Sequence, residues 1–181
     1  MPTPADGAAP DFEVDMAFLE DERLPMSLYD IRYGFDHGWL TPETVIDWAT
    51  RELTQGDDDP IVVRLGCLLR DEAGEVGEVL CQLESPEHIH DPRDSARLWL
   101  YVQLKAAYVS RTEFDDPLEI VELIHAAFDY PSTIARFVRH AALRPGDELG
   151  IKGLMDRWAQ FLSREHIALT NRFRDPPSAE C

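Results

Sequence analysis

The residues best equipped for chemistry stand near the middle of the chain: Glu87, His88, His90 and Asp91, with Asp94 close behind. Imidazole and carboxylate are ligands that zinc and other divalent ions accept, and a metal held here would make the protein a metal-dependent hydrolase. Histidines two apart cannot share a helical face, although they can converge in an extended loop. Against a metal, the cluster lacks an HExxH arrangement, and its acids serve equally as caps of the helix that follows. Asp57, Asp58 and Asp59 lack the alternating ligands, the glycine and the distal glutamate of a calcium loop, so they read as a capping, solvated turn. His125 has Glu122 one turn before it and Asp129 one turn after. A general base flanked by carboxylates has that spacing, but a histidine bridging helix turns is commoner. There is no GxSxG, no Gly-rich phosphate loop and no cysteine and histidine in a nucleophile context. The preferred reading therefore assigns no catalytic residue, no metal and no cofactor, with the hydrolase as the alternative.

A binding role has better-placed material. Tyr33, Asp36, His37 and Trp39 interleave aromatic and polar groups as recognition surfaces do, although core packing is the first reading for Tyr29, Tyr33, Phe35 and Trp39. Charge points the same way. The 181 residues hold 35 acids and 17 bases, a net charge of −18. Nearly all of that excess falls in the first half, whereas the second half is almost balanced. Such a balance opposes direct nucleic-acid binding or attraction to an anionic membrane, and it invites a basic protein partner. The competing reading is an acidic face kept for solubility. Arg136, Arg139 and Arg144 form a small basic patch, read as compensation of a helix dipole.

The elements that position these residues are helical. At 44% apolar composition the chain can bury a core. Acid or threonine followed by proline recurs as a helix start at Thr41-Pro42, Asp59-Pro60, Asp91-Pro92 and Asp116-Pro117, where proline at the first position needs no N–H and the preceding side chain can cap. Ser27 caps a helix ended by Gly38, and Gly56 ends the one begun at Thr41. Residues 95–111 are apolar on nearly every side, which predicts a central buried helix. It should pack on a helical hairpin spanning Asp115 to Leu143, whose second helix follows Tyr130 and Pro131. A final helix carries Ile151, Leu154, Met155, Trp158, Phe161, Leu162 and Leu169 along one stripe. Between residues 61 and 82, Val62, Val63 and the glycines admit a small β-hairpin as the alternative to helix.

Three segments, IRYGFDHGWLTPETVIDWA, RLWLYVQLKAAY and DDPLEIVELIHAAFDYPSTIARFVRH, resemble the bacterial helical family known as domain of unknown function 2247 over roughly residues 27–145. Its most specific words are YGFDHGW, DDPLEIVE and FDYP. The resemblance implies no catalytic residues. It implies a role like that of immunity proteins in bacterial toxin systems, small acidic antidotes that bind and block a toxin domain. Many such toxins are nucleases with basic clefts, a partner class that suits the acidic half.

The expectation is thus an all-α, single-domain helical bundle of seven or eight helices over residues 11–173, with flexible ends at 1–10 and 174–181. Its function is to bind and block a basic toxin domain through Asp30, Tyr33, Asp36, His37, Asp57, Asp58 and Asp59, or, alternatively, to serve as a metal-dependent hydrolase or a regulatory helical scaffold. Cys67, Cys81 and Cys181 form no disulfide pattern, no secretory leader is visible and no apolar run spans a bilayer, so the expected compartment is the cytoplasm. Nothing in the pattern specifies an oligomeric state.

Overall fold

The computed structural model describes residues 13–83, 91–139 and 148–172. They are all-α: eight α-helices and two 3-10 segments, with no strand among the described residues. The chain forms two compact units, Glu13–Ala96 and a second that takes in the described residues from Arg97 onward.

In the first unit, α1 (Met16–Glu22), α2 (Leu28–Asp36) and α3 (Pro42–Gln55) each begin on a side-chain cap, from Asp15, Ser27 and Thr41 respectively. Gly38 and Gly56 take left-handed conformations at φ 75° and 94°, which close α2 and α3 as expected. Then come α4 (Pro60–Gly66), a 3-10 segment (Arg70–Glu75) and α5 (Val76–Cys81). The β-hairpin alternative for residues 61–82 is therefore not realised. Asp59 decides the matter: its Oδ1 accepts the N–H groups of Ile61 at 2.8 Å and Val62 at 3.4 Å, starting a helix where β-branched residues alone favoured a strand. Gly66 does not break the helix either. A Cβ there would lie 2.6 Å from Leu53 Cδ1 and 3.2 Å from the Ala49 carbonyl carbon, so glycine lets α4 lie close against α3. Ile31, Val45, Ala49, Val62, Leu65 and Val79 are buried in this unit.

Helix α6 (Pro92–Val109) is the long apolar helix, and Leu98, Trp99, Leu100, Tyr101, Val102 and Leu104 are all buried. Its first turn belongs to the first unit and the remainder to the second. Within the second unit it pairs with α8 (Gly150–Thr170): Tyr108 meets Trp158 edge-on at 5.1 Å, the Tyr101 hydroxyl lies 3.1 Å from His166 Nδ1, and Arg97 bonds Glu165. Helix α7 (Pro117–Ala127) starts on Asp116, as expected, and buries Leu118, Val121 and Ile124.

The second half of the expected hairpin differs. Asp129 and Tyr130 both take left-handed conformations, and after Pro131 the chain makes only a 3-10 turn over Ala135–Phe137 before Val138 turns extended. Ile134 and Phe137 are buried, at the spacing of three that a 3-10 turn provides. Tyr130, the residue before the proline, has no acceptor to cap a helix start, and Thr133, Ile134 and Val138 are β-branched. In α8, Ile151 is 68% exposed instead of belonging to the apolar stripe, while Arg157 is buried.

Candidate functional site

Asp30, Tyr33, Asp36 and His37 lie on or just after α2, yet the structure separates them. Asp30 is fully buried. Its Oδ2 accepts the Ser27 N–H at 2.7 Å and the Ser27 hydroxyl at 2.7 Å, and its Oδ1 accepts the Ser95 hydroxyl at 2.7 Å. Ser27 returns a bond to the Asp30 N–H at 3.3 Å, completing a capping box. Asp30 therefore ties α2 to the first turn of α6 and offers no surface to a partner, contrary to the expectation.

The other three face outward to different degrees. Tyr33 and His37 stack with centroids 4.2 Å apart, and His37 stacks on Trp39 at 4.7 Å. His37 Nδ1 lies 2.7 Å from the Tyr33 carbonyl oxygen. A carbonyl can only accept, so Nδ1 carries the proton and Nε2 is left as the outward acceptor of the neutral ring. Trp39 is 7% exposed, Tyr33 is half-buried and His37 is exposed, so the stack runs from core to solvent. Burial pushes the Tyr33 phenol above its ordinary range. Asp36 is exposed and pairs with Arg32 at 3.4 Å. Within this aromatic group Trp39 is core, and His37 is surface.

Asp57, Asp58 and Asp59 form the loop between α3 and α4. Asp59 is spent as the α4 cap, and Asp57 Oδ1 accepts the Asp59 N–H at 2.9 Å. Asp58 stands exposed. The crowding of negative charge reaches Glu52, whose carboxyl is raised first by burial and further by Asp57, with Arg51 opposing. The exposed acids Glu20, Asp21, Glu43, Asp47, Asp71, Glu75 and Glu78 belong to the same unit.

Of the metal candidates, Glu87, His88 and His90 lie outside the described residues. Asp91 accepts the Arg93 N–H at 2.9 Å at the start of α6. Among the described residues no group of three or more histidine, cysteine, aspartate or glutamate side chains is placed to hold a metal ion. His125 meets the Tyr130 ring edge-on at 5.3 Å, and its buried Nε2 has no hydrogen-bond partner among the described residues. Glu122 is instead 3.9 Å from Arg139, which also bonds Asp116. The flanked-base arrangement is therefore not assembled. Cys67 and Cys81 are free and exposed.

One arrangement escaped the reading of the sequence. Arg136 and Phe137 from the 3-10 turn and Arg157, Phe161 and Arg164 from α8 line a cleft of about 250 Å³, with Thr133, Gln160 and Glu165. Its signal was the spacing of 157, 161 and 164, which share one face of a helix. Arg157 and Arg164 are interleaved with the apolar residues of α8.

These features define an all-α protein with many exposed acids and a partly exposed aromatic stack on its first unit and an arginine-lined cleft in its second. The chain belongs to the family described as an uncharacterized protein conserved in bacteria, domain of unknown function 2247, whose model matches residues 16–166. That match extends beyond the three segments that carried the resemblance, taking in α1 and most of α8. No curated protein and no solved structure matches the chain. None of the described helices is long and apolar enough to cross a membrane.

Proposed function

We propose that this chain is a non-enzymatic, immunity-like protein that acts in the cytoplasm by binding a basic toxin domain and occluding its cleft. The observation that carries the reading is the acid surface of the Glu13–Ala96 unit, in which Asp58 and its neighbours remain exposed after the capping acids are set aside. A cleft shaped for phosphates attracts such a surface over a distance, and exclusion of substrate needs no catalytic group. The His37 and Tyr33 stack in the same unit supplies a rigid, amphipathic contact, with His37 Nε2 as an acceptor. Family membership is compatible with this role but assigns no activity.

The test is direct. Products of the genes flanking this one are purified, and each is titrated with this protein by calorimetry and assayed for inhibition of nuclease or other toxic activity. The reading requires a complex with one basic flanking product, loss of that product's toxicity, and an association rate that falls steeply as salt rises. Failure of every flanking product to bind would overturn it.

A further inference from the structure

Arg157 sits in the middle of α8 and is 9% exposed. Two main-chain carbonyls hold its guanidinium: Nε–H donates to Arg136 O at 2.7 Å, and Nη1–H donates to Glu148 O at 3.0 Å. Both acceptors are neutral, and no carboxylate among the described residues pairs with this cation. Arginine stays charged in proteins, so a full positive charge lies in a poorly hydrated place without a counter-charge among the described residues. Salt bridges elsewhere in the chain bring carboxylates to arginines; here the arginine faces a cleft instead.

The cleft's composition indicates what completes it. Arg164 lies two turns further along α8, and Arg136 belongs to the 3-10 turn, so residues of both elements line the cleft. Arg164 Nη2 lies 3.5 Å from Gln160 Oε1, a weak contact that an anion can displace. The lining carboxylate, Glu165, is engaged by Arg97 and so does not supply the missing charge. Thr133 and Gln160 bring a hydroxyl and an amide able to donate to further oxygens. Phe137 and Phe161, with ring centroids 5.4 Å apart, form an apolar side.

We infer that this cleft binds a phosphate monoester carried on a small apolar or aromatic body. The guanidinium groups of Arg157 and Arg164, with two neutral donors, fit a dianion with three terminal oxygens better than a single carboxylate. The volume, roughly eight waters at about 30 Å³ each, holds a phosphoryl group with a body about the size of one ring. The site does not depend on the partner-blocking role, since its residues belong to the nearly neutral half of the chain.

Calorimetric titration of the intact protein with phenyl phosphate, inorganic phosphate and benzoate, at one ionic strength set with sodium chloride, tests the assignment. Phenyl phosphate should bind saturably at one site, about tenfold more tightly than either of the others, because only it offers both the dianion and the ring. Arg164→Gln alters an exposed side chain, so its unfolding midpoint should be unchanged while phenyl phosphate binds about tenfold more weakly. Arg157→Met is at risk of misfolding, so Arg157 is followed in the native protein through its Nε–H nitrogen resonance, which should move on titration. Absence of saturable phenyl phosphate binding, or equal affinity in Arg164→Gln, overturns the proposal. Benzoate equal to phenyl phosphate overturns the phosphate assignment, and inorganic phosphate equal to it overturns the apolar body.

Discussion

Replacing Asp30 separates a structural acid from a recognition acid. Its carboxylate takes two bonds from Ser27 and one from Ser95, at distances of 2.7 Å, inside a fully buried site. Hydrogen bonds to a charged acceptor contribute about 1.5–3 kcal/mol each, and three that share one carboxylate do not add. Asp30→Ala should therefore cost about 3–5 kcal/mol, since it also takes away the buried acceptor of the Ser27 and Ser95 donors. Asp30→Asn keeps an acceptor for Ser95 but turns an amide toward the Ser27 donors, so it should cost about 2–3 kcal/mol. In urea, with a slope of about 2 kcal/mol per molar, the alanine variant's midpoint should fall by roughly 1.5–2.5 M. The assay is equilibrium unfolding followed by far-UV circular dichroism, with Ser95→Ala as a partner mutation for a double-mutant cycle. A midpoint within about 0.3 M of the parent for Asp30→Asn, corresponding to about 0.6 kcal/mol, would refute the reasoning and return Asp30 to the surface.

Three other outcomes follow from individual contacts. Asp57→Lys combined with Asp58→Lys, leaving the Asp59 cap intact, should change stability by no more than about 0.5 kcal/mol in thermal melts. At Asp116 the carboxyl is held below its ordinary range, chiefly by the hydrogen bond from Arg139. This contribution is present above the unfolded carboxyl value and is lost as pH falls through the lower folded one. Asp116→Asn should keep the α7 cap and flatten that acid limb at a cost under about 1 kcal/mol, because Arg139 and Asp116 are 32% and 41% exposed, whereas Asp116→Ala should lose about 1 kcal/mol more with the cap. Gly66→Ala should destabilise by about 1–2 kcal/mol, with the crowding against Leu53 and Ala49 outweighing better helix propensity; a higher melting temperature would show that α4 can move away from α3.

Local rules carried most of the fold, and the exceptions show where they stop. At Thr41-Pro42, Asp59-Pro60 and Asp116-Pro117 the side-chain acceptor immediately precedes the proline, and each starts a helix. At Pro131 the preceding residue is Tyr130, with Asp129 one place too early, and only a 3-10 turn forms. The device was therefore the adjacency of acceptor and proline, and an acid merely nearby did not supply it. Asp30 was also legible in principle, since Ser27 and Asp30 stand three apart as a capping box does. Its contact with Ser95, 65 residues away in sequence, was not, because tertiary pairing leaves no local period. The same holds for the cleft: spacing puts Arg157, Phe161 and Arg164 on one face, but only folding brings Arg136 to meet them.

Sorting the acids by what they hold changes how a partner would experience this surface. Asp15, Asp30, Asp59 and Asp116 are engaged at helix starts, so their conservative replacement acts first on stability. Exposed acids such as Asp58 act through a field that extends over a Debye length of about 8–10 Å. A field sums many charges, so reversing Asp57 and Asp58 should slow association and reduce its salt dependence without much altering the lifetime of a complex. His37 and Tyr33 are different, because a stacked pair acts only in contact. His37→Ala, at an exposed residue whose ring bonds only the adjacent turn, should leave the association rate nearly unchanged and speed dissociation about tenfold if that face meets the partner. Stopped-flow association and surface-plasmon dissociation measured on both variants separate the two mechanisms. Were the charge reversal to act on dissociation and His37→Ala on association, the division between a steering field and an aromatic contact would be wrong even if the protein binds a toxin.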